Sequence, residues 1–254
     1  MAFKDLNLFF KIYIGFISMF FGMCMGSFLN CLAYRISHNI SIIKGRSRCD
    51  NCHHLLAFKD LIPFFSYLQT KGRCRYCGNK LDKRYLISEV LCGLVYLLTV
   101  IRYGLSLSTV QYLILNSLLI CASFFDIESH IIPDHIVIIG IINRIVFCIA
   151  SGAFIDCLLS SLKNSLIITI PLIVFVIVVS KMIKKEAMGG GDIKLIFMAS
   201  MYLSNINNLF ALTLACISAI LHAYIKNKYD MRIIFGPYIS FGYIVCVLFG
   251  SVFF

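Results

Sequence analysis

Charge is what this chain lacks. Asp, Glu, Lys and Arg supply 14% of its 254 residues, against about 25% in an ordinary soluble protein. With 60% hydrophobic residues and a mean hydropathy of +0.89, such a chain cannot clothe a water-soluble surface, so a soluble domain is excluded. There is no low-complexity tract, no internal repeat and no second, soluble domain. No Gly-rich loop follows a strand pattern, so nothing signals a dinucleotide site. Acids are the scarcer sign, 12 against 23 Lys and Arg, for a net charge of +11. The basic residues do not form one polar face. They sit between apolar runs, where they orient a protein in a bilayer, and nucleic acid is not an expected partner.

What is present instead is apolar length. Stretches at 12–33, 85–101, 106–125, 131–151, 157–180, 192–203, 206–225 and 233–253 predict an all-α polytopic membrane protein of about eight transmembrane helices. About 20 apolar residues cross a bilayer. The first stretch is longer than a signal-peptide core and has no clear small-x-small cleavage site, so it reads as a membrane helix. Segment 192–203 is too short to span unless it begins in a protein-lined cavity. Residues 35–84 form the one sizeable polar segment, with eleven Lys/Arg against Asp50, Asp60 and Asp82. The division expected is therefore 1–34 (first membrane helix), 35–84 (small cytoplasmic loop domain) and 85–254 (membrane domain).

Eight spans with both termini outside place 17 basic residues in inner loops, including Lys181, Lys184, Lys185, Lys226, Lys228 and Arg232. Four (Lys4, Lys11, Arg102, Lys163) fall outside. That asymmetry predicts a multi-pass protein of the cell (plasma) membrane whose polar segment faces the cytoplasm.

Two CxxC pairs, Cys49-Asp50-Asn51-Cys52 and Cys74-Arg75-Tyr76-Cys77, lie 21 residues apart in that segment. Each pair can present two thiolates, and two pairs complete a tetrahedral zinc site. In a reducing compartment metal binding is the expected use rather than disulfides. A closed four-sulfur site leaves no open position for substrate, so its zinc is structural. His53 and His54 are alternative ligands that four cysteines make unnecessary. The other eight cysteines, Cys24, Cys31, Cys92, Cys121, Cys148, Cys157, Cys216 and Cys246, are scattered singly and read as small buried hydrophobes. Between the pairs, Asp60–Leu68 is an apolar patch too short to span, expected to pack beneath the metal site or against the bilayer.

Two aspartates carry the chemistry. Asp192 ends the run Gly189-Gly190-Gly191 at the mouth of an apolar stretch, and Asp126 closes another. Ionisable groups at such places are costly to desolvate and mark function. Both fall on the cytoplasmic side by the Lys/Arg count, which suggests a dyad sharing one water and one proton. Asp134, after Pro133, reads as a helix cap. Glu89 and Arg144 read either as members of buried ion pairs or as part of a substrate groove. Lys194 is expected to snorkel to the interface, or else to tune Asp192, and Pro171 to kink the fifth span.

Several motifs together resemble one family. Gly26-Ser27-Phe28-Leu29-Asn30 with Tyr34-Arg35, CxxC pairs flanking Asp60-Leu61-Ile62-Pro63, and Asp126 through Ile132-Pro133-Asp134 are similar to those of the type IV prepilin peptidases. So are Gly189 through Leu195 and Phe235-Gly236-Pro237. These enzymes belong to the GxGD membrane aspartic proteases. The chain departs from the pattern at Asp50 and Ile234, where proline is common. The resemblance implies catalytic Asp126 and Asp192, and substrates that are type IV prepilins or pseudopilins cut after a glycine on the cytoplasmic side. It also implies N-methylation of the new N-terminus with S-adenosylmethionine, through residues the sequence does not name.

Two other classes stay open on sequence alone. One is an ion-coupled transporter with a regulatory zinc loop, which would place its acids near mid-membrane and repeat its broken helices. The other is a non-enzymatic platform for a secretion machine. The sequence leaves the oligomeric state unstated.

Overall fold

Each apolar stretch forms a helix in the computed structural model, which describes residues 7–42, 45–49, 51–226 and 234–250. Lys4, Asp5, Lys44, Asp50, Lys228, Arg232 and the ends of the last stretch at 233 and 251–253 lie outside the described residues. The helices are α1 (Leu8–Ser37), α2 (Phe65–Gln69), α3 (Lys83–Tyr103), α4 (Leu107–Ser129), α5 (Asp134–Ala150), α6 (Phe154–Ile183), α7 (Gly190–Ser200), α8 (Asn205–Ile225) and α9 (Gly236–Phe249). Among the described residues there is no β-strand beyond two isolated bridges. The protein is an all-helical, multi-pass membrane protein. Five helices, α1, α3, α4, α6 and α8, are long and apolar enough to cross a membrane, whereas α5, α7 and α9 have 17, 11 and 14 residues.

The chain divides into two compact units, Met1–Ser106 and Leu107–Phe254. In the first, α1 packs along α3. The contact is built on Gly22 and Gly26, a small-xxx-small pair that lets membrane helices approach closely. A Cβ on Gly22 would lie 2.9 Å from the Cys92 carbonyl oxygen, and one on Gly26 3.0 Å from that of Ser88. The opposite faces of α1 are exposed apolar side chains such as Phe9, Ile12 and Phe16, as lipid contact requires.

The polar segment hangs from this pair and carries a 3₁₀ turn (Phe58–Asp60) and α2. Phe58, Leu61, Phe65 and Leu68 are exposed there, so this apolar patch is not buried beneath the cysteines.

In the second unit, α4 packs on α5 and α9, α6 on α7, and α8 on α9. Its core is Leu115, Leu119, Ala122, Leu195, Ile196, Met198, Ala211, Ala215, Ile239 and Tyr243. The short α7 is enclosed by α5, α6 and α9. That surrounding protein is what permits an eleven-residue helix in so apolar a unit. Buried hydroxyls are satisfied across it: Ser200 pairs with Tyr243 at 2.6 Å, and Ser240 donates to the Leu119 carbonyl at 2.8 Å. Pro171 lies inside α6.

The scattered cysteines are not all alone, which corrects the sequence reading. Cys148 near the end of α5 and Cys157 in α6 form a disulfide. It staples the α5–α6 turn at the end of α5 opposite Asp134.

Candidate active site and metal centre

Asp126 and Asp192 both lie in the second unit, and the charge of Asp126 is felt at Asp192. Asp126 is buried in the last turn of α4. The helix stops three residues later because His130 turns left-handed at φ +55° and Pro133 follows in an extended conformation. Asp192 sits in the first turn of α7, behind Gly189 at φ −68°, ψ 141°. An acid there faces the unsatisfied N–H groups of a helix start, where negative charge is favoured.

The glycine run has a visible purpose at one position. A Cβ on Gly191 would come within 3.2 Å of the Ile132 side chain, so a bare backbone lets α7 abut the α4–α5 turn. That approach brings the two carboxylates to one end of the unit.

A third element closes the site. Gly236 opens α9 before Pro237, and its N–H donates to Oδ2 of Asp126 at 2.8 Å. A Cβ on Gly236 would stand 2.5 Å from that oxygen. Sequence reading singled out Phe235-Gly236-Pro237 by resemblance only and missed this bond. The local signal was a glycine immediately before the proline of a helix start.

The remaining polar residues find partners that the sequence does not name. Lys194 pairs with Asp134 at 2.7 Å, both side chains exposed. Asp134 is the first residue of α5, is exposed, and makes an ion pair, while Pro133 occupies the cap position. Arg144 has no acid partner among the described residues. It donates to Ser161 at 2.8 Å and lies over the rings of Phe147 and Tyr202. Among the described residues Glu89 is not in an ion pair either: it accepts the Phe64 N–H at 2.8 Å and a bond from Ser27.

The four cysteines of the first unit converge. The Sγ atoms of Cys49, Cys52, Cys74 and Cys77 all lie within 4.8 Å of one another, a set able to hold a metal ion. The two knuckles repeat one geometry. Cys49 N–H donates to His54 O and Cys74 N–H to Asn79 O, at 3.0 and 2.8 Å. The residue after the second cysteine is left-handed in both, His53 at φ +54° and Gly78 at φ +71°. His54 stacks on Tyr76 rather than joining the sulfur set.

Beside the second knuckle, the Asp60 carboxylate accepts from Arg75 Nε (2.9 Å), Tyr76 Oη (2.9 Å) and Ala57 N–H (3.1 Å). Desolvation pushes this carboxyl up, but the bonds from Tyr76, Ala57 and Arg75 outweigh it and hold it below its ordinary value.

The fold and this arrangement define a multi-pass helical membrane protein with paired acids at one end of a bundle and a separate four-cysteine centre. Residues 20–103 match the bacterial peptidase A24 N-terminal domain, and residues 113–224 match the type IV leader peptidase family. The chain belongs to that family. It is 34% identical over 185 residues to a prepilin leader peptidase/N-methyltransferase of Myxococcus xanthus, covering 72% of this chain and 54% of the relative. A Bacillus subtilis protein of the same name is 36% identical over 118 residues, 46% of this chain and 48% of that one. The chain thus spans about half the length of these two relatives. The type 4 prepilin-like proteins leader peptide-processing enzyme of Escherichia coli is 26% identical over 250 residues, 91% of this chain and 93% of the relative. No solved structure matches.

Proposed function

We propose that this chain is a membrane aspartic endopeptidase that removes the leader from type IV prepilins or pseudopilins, with Asp126 and Asp192 as its dyad. The observation that carries the reading is the approach of these two carboxylates, with Gly236 N–H fixing Asp126. Two adjacent carboxyls cannot both ionise cheaply, so one keeps a proton. The ionised member takes a proton from water as its oxygen attacks the scissile carbonyl. The protonated member donates to the carbonyl oxygen, and collapse returns a proton to the leaving amine. No covalent intermediate forms.

In this reading residues 1–34 provide the first membrane helix, 35–84 the metal segment and 85–254 the peptidase part, in the plasma membrane with the dyad at the cytoplasmic face. Lys181 in the last turn of α6, and Lys184 and Lys185 just after it, lie on the way to Asp192, which supports that orientation. The Cys148–Cys157 disulfide at the far end of α5 supports it too, since disulfides persist in oxidising compartments.

Cys49, Cys52, Cys74 and Cys77 would hold one structural zinc. The Cys49–Cys77 sulfur separation of 3.9 Å suits it, because tetrahedral bonds of about 2.3 Å set sulfurs roughly 3.8 Å apart. The names of the relatives also support N-methylation of the trimmed substrate. S-adenosylmethionine, when bound, supplies a sulfonium methyl that the amine takes with its lone pair, leaving a neutral thioether and a proton for solvent.

The deciding experiment incubates purified chain in detergent with a prepilin carrying a basic leader. A product shortened by the leader, absent with Asp192→Asn, is expected. Undiminished cleavage by that variant would overturn the reading.

A further inference from the structure

Four large apolar side chains of the polar segment stand in the open: Phe58, 84% exposed, with Leu61, Phe65 and Leu68. They recur at spacings of three and four, through the 3₁₀ turn and into α2. Phe65 and Leu68, three residues apart, share one face of α2. Tyr67 turns the other way, onto Gly72, where an added Cβ would meet its ring at 2.7 Å. The segment thus has an inner face packed on its own chain and an apolar outer face left open. Exposed apolar patches of this kind mark interaction surfaces.

Its height beside the membrane helices says what covers it. The Phe64 N–H donates to Glu89 at 2.8 Å, and Glu89 also takes a bond from Ser27 of α1. Glu89 lies six residues past Lys83, the start of α3, about 9 Å along the helix. Phe64 opens α2 from a left-handed φ of +63°, a costly conformation for a bulky residue, and Phe65 follows directly. At this level Phe28 of α1 and Ile87 and Leu91 of α3 are exposed as well. They belong to the outer faces of two helices long and apolar enough to cross a membrane. The patch is therefore level with the lipid-facing surface where α3 begins, rather than far out in water.

Charge selects the lipid. A cavity of about 590 Å³ adjoins the patch at Phe65 and is lined also by Lys59, Ile62, Ser66, Gln69 and Arg75. No acid lines it, so cations, the basic leader of a prepilin among them, are repelled. Arg75 is held by Asp60 and Gln69, at 2.9 and 2.8 Å, while Lys59 has no partner among the described residues. A lysine beside apolar surface lays its stem along it and carries the ammonium to the headgroups, where cations are drawn to anionic lipid. We propose that the outer face of the polar segment docks on the bilayer that α1 and α3 cross. Phe58, Leu61, Phe65 and Leu68 lie below the headgroups, and Lys59 and Arg75 hold the phosphate of an anionic phospholipid in the cavity. The four-cysteine centre then rides at the membrane surface. This docking holds for either orientation of the chain and does not rest on the peptidase reading.

The chain contains no tryptophan, so one introduced on the patch reports alone. Full-length Phe58→Trp and Phe65→Trp are placed in nanodiscs of phosphatidylcholine with and without phosphatidylglycerol. Fluorescence quenching by brominated acyl chains and by acrylamide is measured, and metal content is checked for each variant. Phe16→Trp, at an exposed position of α1, is the positive control for lipid contact. With phosphatidylglycerol present, bromines should quench Phe58→Trp about twofold or more, at a depth of roughly 5–10 Å, and acrylamide should quench it little. Omitting phosphatidylglycerol, or adding Lys59→Glu, should lower the bromine quenching by about half. If Phe65→Trp loses its metal, Phe58→Trp alone decides. Free access of acrylamide with no bromine quenching overturns the docking. Protection from both quenchers means that protein, such as a second copy of the chain, covers the patch, and overturns it equally. Bromine quenching indifferent both to phosphatidylglycerol and to Lys59→Glu overturns the phosphate site.

Discussion

The main-chain N–H of Gly236 donates to Oδ2 of Asp126 at 2.8 Å, joining the start of α9 to the end of α4 across 110 residues of sequence. A helix start has unsatisfied N–H groups, and here one of them is spent on orienting a carboxylate.

That bond makes Gly236→Ala a sharp test. The added methyl would sit 2.5 Å from Oδ2, so the carboxylate must turn away. Misplacement by about 1 Å costs on the order of 100-fold in rate. Cleavage should fall by that order while membrane insertion is unchanged. Wild-type turnover in this variant would detach Gly236 from the mechanism.

Asp126→Asn and Asp192→Asn keep shape and remove the shared proton. Each should lower the cleavage rate by about 1,000-fold or more, within the range for lost acid–base groups. The double variant should be no worse than either single, because groups acting as one unit are not additive. Asp134→Asn breaks only the exposed pair with Lys194. Such pairs are worth about 0–1 kcal/mol, so substantial activity should remain. Steady-state rates on one prepilin check all four.

Asp60 gives a pH signature to the polar segment. Its folded pKa is held below the unfolded value by Tyr76, Ala57 and Arg75. Its contribution to stability is therefore complete above the unfolded pKa of about 3.9. It is lost as pH falls through the lower, folded value. Limited pepsin digestion should cut Asp60→Asn between residues 57 and 76 faster than wild type at pH 4. The gap should close as the medium becomes more acidic. A gap that widens with acidification would reverse the assignment.

The disulfide tests the orientation. Peptide mapping without reductant should recover Cys148 joined to Cys157. In Cys148→Ser, the freed Cys157 should react with an impermeant maleimide added outside intact cells. Labelling only after the cells are opened would place the α5–α6 turn inside and the dyad on the outer face.

By itself the sequence determined whatever depends on neighbours along the chain. Apolar length specified each helix, because the bilayer sets how many residues a span needs. The CxxC spacing specified both knuckles, since two thiolates three residues apart are presented by a single turn. Asp126 and Asp192 stood out because acids are rare at the ends of apolar runs. Tertiary structure decided the partnerships: Gly236 with Asp126, Lys194 with Asp134, Cys148 with Cys157, and Glu89 with the Phe64 N–H. It also settled that Arg144 lies over aromatic rings, with no acid partner among the described residues. These pairings arise from close approach of helices, and no periodicity encodes which bare glycine lets which neighbour in. A hydrogen bond from the first turn of one helix to the last turn of another exists only once both are packed.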